Sequence, residues 1–195
     1  MKKILLAVAL PVVMISCAQA QEKVAAQPVR FLLGTGLTFG GDKLATAYYT
    51  NNTSATINAG SGLQLWGGVD YRINPQFSLQ GTVGYHTHFT PEASNGDASF
   101  SRIPVELLAY YHLNENWRLG GGVRFVSSAK LNGKGAASGL NQKFDDVTGA
   151  ILEAEYLYGA NLGFKVRFVK EEYKATGFNT KFSGDHLGLM MNYYF

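Results

Sequence analysis

From Gly184 to Phe195 the chain alternates without a break. Leu187, Leu189, Met191, Tyr193 and Phe195 are apolar, and His186, Gly188, Met190, Asn192 and Tyr194 between them are mostly polar or small. Successive side chains of a strand point to opposite faces. The segment is therefore a strand with one apolar face that stops on an aromatic residue. Alone, it fits an ordinary half-buried strand of a soluble sheet as well as anything else.

Repetition decides the matter. The same period of two runs through Val29–Phe39, Gly62–Ile73 and Phe77–Phe89, then through stretches around Ile103–Leu113, Trp117–Phe125, Ala150–Tyr158 and Leu162–Phe168. Asn74-Pro75-Gln76, Asn114-Glu115-Asn116 and Gly159-Ala160-Asn161 have the residue chemistry of tight turns. Between the hairpins they close, the polar stretches Gly40–Ser61, Thr90–Ala98, Ser128–Asp146 and Lys174–Ser183 read as long loops. Strands of this length suit the ~9–11 residues that cross a bilayer at a tilt. Short turns at one end and long loops at the other are the pattern of a membrane barrel. The expected fold is all-β: an eight-stranded antiparallel up-and-down transmembrane β-barrel, closed by pairing of the last strand with Val29–Phe39. Tyr71, Phe77, Tyr111, Trp117, Tyr158, Phe164, Tyr193 and Phe195 would form an aromatic girdle at the turn end, with Phe39, Tyr85, Phe89 and Phe125 at the other.

The amino terminus carries an address. Met1-Lys2-Lys3 is basic, Ile4–Ile15 is an apolar run broken only by Pro11, and Ala18-Gln19-Ala20 matches a signal-peptidase site. The run is too short to span a bilayer. The expected division is a signal peptide over 1–20, a short periplasmic leader over 21–28 and the barrel over 29–195. Cys17 also follows an apolar run, which leaves a lipidated terminus open as the other reading. Taking Lys2 and Lys3 from the 17 basic residues leaves a near balance with the 14 acidic ones, so nothing favours nucleic acid as a partner.

The polar face of the strands mixes glycines with long side chains, among them Trp66, Tyr110 and Met190. Eight strands enclose an interior just wide enough for side chains to fill, and small residues beside large ones suit a filled lumen. Symmetry about the turns sets Glu106 opposite Arg124, Glu153 opposite Arg167 and Glu155 opposite Lys165. These three pairs are read as ion pairs of the lumen.

With these features in place the chain resembles the small outer-membrane barrels of Gram-negative bacteria, of the OmpA transmembrane-domain, OmpX and opacity-protein type. Phe195, with Tyr193 and Met191 at alternating positions, looks like the signal read by the barrel-assembly machinery in that family. Ile103-Pro104-Val105 entering a strand is a weaker likeness. Unlike the longer OmpA pattern, Phe195 closes the sequence before any peptidoglycan-binding domain. The resemblance implies an integral outer-membrane protein with both termini periplasmic. Its partners would be outer-membrane lipid, lipopolysaccharide, the assembly machinery and an extracellular ligand held by four loops, Tyr48-Tyr49 being a candidate contact. No catalytic, metal or cofactor residues are expected. A narrow channel for small solutes is the first alternative. The second is a lipid-modifying enzyme built on His86, His88, Glu92 and Ser94.

Overall fold

The computed structural model describes residues 28–48, 54–90, 96–135 and 137–195. In chain order the strands are β1 (Val29–Gly40), β2 (Lys43–Tyr48), β3 (Ser54–Asn58), β4 (Gly62–Arg72), β5 (Phe77–Phe89), β6 (Gly96–His112) and β7 (Trp117–Gly135). They are followed by β8 (Gln142–Lys143), β9 (Val147–Tyr158), β10 (Leu162–Lys170), β11 (Glu172–Lys174), β12 (Lys181–Ser183) and β13 (His186–Tyr194). Eight of them, β1, β4, β5, β6, β7, β9, β10 and β13, pair antiparallel in that order, and β13 pairs back onto β1 to close a barrel. The closure sets Leu37 opposite Leu189 and Leu33 opposite Tyr193.

The apolar residues of each strand face outward. Phe31, Leu37, Val83, Leu107, Leu152, Val166 and Leu189 are all more than half exposed on the barrel's outer wall. This is the reverse of a water-soluble sheet, where such a face would be covered. The opposite phase, carrying Gln64, Asp70, Glu106, Arg118, Arg124, Glu153 and Arg167, is buried. At the short-turn end Phe77 meets Tyr111 and Trp117 meets Tyr156 at a tilt, and Tyr193 meets Phe195 edge to face, with ring centroids 5.0–5.3 Å apart. Phe195 also ties off the seam, its N–H donating to the Phe31 carbonyl at 2.9 Å.

The long-loop end is more ordered than its composition suggests. The stretch 40–61, expected as loop, contains the β2–β3 hairpin. Residues 96–98 and 128–135 are strand, because β6 and β7 run on as a pair as far as Gly96 and Gly135. The last expected loop holds the β11–β12 hairpin. The physical reason is a reversal of polarity. Beyond the lipid-facing zone the outward positions, such as Ser99, Lys130 and Lys143, are polar, and the inward ones, Ala98, Phe100, Ala129, Leu131 and Phe144, are apolar. A polar outer face in water looks like loop when read against a lipid-facing pattern.

One irregularity marks the changeover. Ser101 pairs with Lys130 but Ile103 with Ser127, so Arg102 on β6 faces two residues, Ser128 and Ala129, on β7. This bulge shifts the inward phase of β7 from even to odd positions. Ser128 sits in the left-handed region with φ 55°, a conformation that costs a non-glycine residue about 1–3 kcal/mol.

Candidate functional site

Three layers of charge fill the membrane-level interior. Nearest the short turns, Arg118 reaches Asp70 at 2.8 Å and Glu155 at 2.7 Å, and Arg30 meets the other Asp70 oxygen at 2.8 Å. The Arg118 guanidinium lies 4.0 Å over the Tyr110 ring. Tyr194 donates to Glu155 at 2.6 Å, and Trp66 Nε1 donates to Asn192 Oδ1 at 2.9 Å. In the middle layer Glu153 receives Lys165 and Arg167, each at 2.7 Å, together with the Tyr110 hydroxyl. Above it Glu106 is held by Arg124 at 2.5 Å and Arg167 at 2.9 Å. Arg124 continues to Glu171 at 3.0 Å. Glycine makes room for this filling at two clear places. A Cβ on Gly34 would lie inside the Trp66 indole, and one on Gly120 inside the Tyr110 ring.

The six residues read as lumen ion pairs are all buried and all stand in this network. Glu106 faces Arg124, Glu153 faces Arg167 and Glu155 faces Lys165 in the strand registers. Lys165 nonetheless lies closer to Glu153 (2.7 Å) than to its register partner Glu155 (3.7 Å), which belongs mainly to Arg118. The pairs are links of one network, not isolated couples. Asp70, Arg118, Glu171 and Arg30 belong to it and were not singled out from sequence. The Arg30–Asp70 and Arg118–Glu155 pairs are in register, but across strands joined by long connections. Turn symmetry cannot find them.

Met191, Tyr193 and Phe195, read from sequence as the assembly signal, lie on the outer wall, 42%, 46% and 61% exposed. His86 is fully buried and His88 half-buried, held by the Asn58 N–H at 3.1 Å. Glu92, Ser94 and Tyr49 lie outside the described residues, as do residues 1–27 with Cys17. Among the described residues no group of three or more His, Cys, Asp or Glu side chains is placed to hold a metal ion.

Over the charged interior sits a second, apolar core built by the long-loop end. Ile57, Ala98, Phe100, Val126, Leu131, Phe144 and Tyr173 are among its buried members. Phe100, Phe144 and Tyr173 meet edge to face with centroids 5.3–6.1 Å apart. The rim is tied laterally as well. Phe144 bridges to Ala175, Asp42 N–H donates to the Ser183 carbonyl at 2.7 Å, and Ala59 N–H donates to the Asp42 carbonyl at 2.9 Å. Tyr173 links the two cores, its hydroxyl donating to Glu171 at 2.7 Å. Burial pushes the Tyr173 phenol above its ordinary pKa, so it stays a donor.

A closed eight-stranded barrel with an apolar exterior and an ion-paired, side-chain-filled interior defines a small outer-membrane barrel. The comparisons agree at the level of family. Residues 7–195 match the outer membrane protein beta-barrel domain, and the chain belongs to that family. No curated protein matches the sequence. Among solved structures, the attachment invasion locus protein Ail of Yersinia pestis, in complex with the heparin analogue sucrose octasulfate, superposes with TM-score 0.51 at 14% identity. That match covers 86% of this chain and 97% of that one. Neisserial surface protein A gives TM-score 0.53 at 12% identity over 86% of this chain and 97% of its own. At these identities the likeness is one of fold.

Proposed function

We propose that this protein is a non-enzymatic, non-conducting outer-membrane barrel that presents its long-loop end at the cell surface as a folded recognition platform. The observation that carries this reading is the pairing of two cores. An ion-paired network fills the lumen, and a separate apolar core fixes the β2–β3, β6–β7 and β11–β12 ladders above it. Function on a rigid scaffold concentrates in its connecting segments, and here those segments are themselves stiffened. Trp66, Tyr110 and Met190 fill the lumen between the charges, which argues against a solute path. His86 and His112 bond the hydroxyls of Thr38 and Ser78, but all four groups are buried in the closed interior, where no substrate reaches them. In this reading both termini and the short turns face the periplasm, Lys130, Lys143 and Lys174 face outward, and an extracellular ligand docks on the platform. Lipid and lipopolysaccharide surround the barrel, and the assembly machinery recognises the Met191, Tyr193 and Phe195 face.

Orientation is the first test. Gly139 lies in the long-loop end with open space around it, and Glu115 lies in a short turn. A membrane-impermeant maleimide applied to intact cells should label a Gly139→Cys variant and spare a Glu115→Cys variant until the envelope is permeabilised. The opposite pattern would invert the proposal. A deletion strain should then lose surface attachment while keeping its permeability to small solutes.

A further inference from the structure

Arg102 is fully buried and has no carboxylate within ion-pair distance among the described residues. Every other buried guanidinium or ammonium of the interior has at least one among the described residues. The bridged network is balanced without it. Arg30, Arg118, Arg124, Lys165 and Arg167 are matched by Asp70, Glu106, Glu153, Glu155 and Glu171. Arg102 is the unmatched charge.

Its hydrogen bonding is equally bare. Nε and Nη1 have no partner among the described residues, and Nη2 lies 3.0 Å from His86 Nε2. A neutral imidazole accepts at one nitrogen only, and His86 also meets Arg124 Nη2 at 3.1 Å through Nδ1 and the Thr38 hydroxyl at 2.8 Å through Nε2. His86 can therefore accept from Arg102 or from Arg124 but not from both, and it offers Arg102 no negative charge. His186, whose ring centroid lies 5.6 Å from that of His86, is buried beside them with Nε2 unpartnered. Phe100, 4.7 Å from the guanidinium carbon, and Tyr173 roof the group with the apolar cap and keep it from bulk water. Bulges re-aim side chains, and the β6–β7 bulge falls at Arg102 itself.

An isolated buried charge is strongly disfavoured unless paired. We propose that Arg102, with the His86–His186 pair beside it, forms an internal site for a small monovalent inorganic anion of halide size. The anion neutralises the sixth cation and locks the platform onto the charged lumen.

The test uses the full-length protein refolded in lipid and bromide as the probe. At constant ionic strength, replacing sodium gluconate by sodium bromide should raise the wild-type unfolding temperature by a few degrees and then saturate. Gluconate serves as the bulky comparison anion. An Arg102→Met variant should lose the bromide-dependent rise while keeping the general response to salt. In bromide-soaked crystals of the wild type, an anomalous peak should lie within hydrogen-bond reach of Arg102, a readout that does not depend on the variant folding. Equal bromide responses in the two proteins, or only water density beside Arg102, would overturn the proposal.

Discussion

Arg124 stands opposite Glu106 on neighbouring strands at 2.5 Å, yet its guanidinium also reaches Glu171, beyond the end of β10, at 3.0 Å. Glu106 has a second cation in Arg167, whereas Arg124 is the only Lys or Arg bridged to Glu171 among the described residues. An Arg124→Met change therefore strands Glu171 more than Glu106. Removing one partner of a buried pair costs about 3–5 kcal/mol. The double variant Arg124→Met/Glu171→Gln should recover most of that loss, since Glu106 keeps Arg167. Arg124→Met/Glu106→Gln should recover less. Urea unfolding in lipid, followed by heat-modifiable mobility, measures all three; equal recovery by the two doubles would show that the pairs act independently.

Gly34 leaves its volume to Trp66. A Gly34→Val substitution places two methyl groups in the indole, whose Nε1–H is fixed by Asn192. Overpacking of this kind costs about 1–3 kcal/mol or more, and the folded fraction on refolding should fall accordingly. Gly139→Ala, which meets nothing within 4 Å, is the matched control and should fold like the wild type.

Phe144 anchors the platform core by packing on Phe100, Tyr173 and Phe182. Truncating a buried phenylalanine to alanine costs about 3–5 kcal/mol where the site cannot collapse. Phe144→Ala should therefore make the long-loop end susceptible to added protease while the barrel keeps its heat-modifiable shift. Unchanged proteolysis would mean that the apolar cap does not hold the platform together.

Phe195 is 61% exposed, meets the Tyr193 ring and bonds the Phe31 carbonyl at the seam. Its deletion should reduce the amount of protein reaching the outer membrane in cells and leave the unfolding of the purified, refolded barrel nearly unchanged. Normal outer-membrane levels would remove it from the assembly signal.

The barrel was legible because lipid on one side and charge on the other enforce a period of two that composition cannot hide. The alternation of Phe31, Leu33, Leu37 and Phe39 says which wall faces out once seven other segments repeat it. Hairpin symmetry reached Glu106 with Arg124 and Glu153 with Arg167, since a tight turn fixes register. It could not reach Arg118 with Glu155, whose register depends on the path through residues 136–146. The platform was hidden for a different reason. Past Ser128 the inward and outward faces exchange polarity, and Lys130, Lys143 and Ser99 then look like loop. Arg102 falls at that exchange, where no pattern based on one solvent applies.

The central claim is that the lumen is sealed by its own side chains and that the protein acts through its folded loop end. Single-channel recording of the refolded protein in planar bilayers tests this most directly. The account predicts a silent membrane, for the wild type and equally for Phe144→Ala, because the seal lies in the ion network below the cap. Stable, resolved conductance steps from the wild-type protein would contradict it.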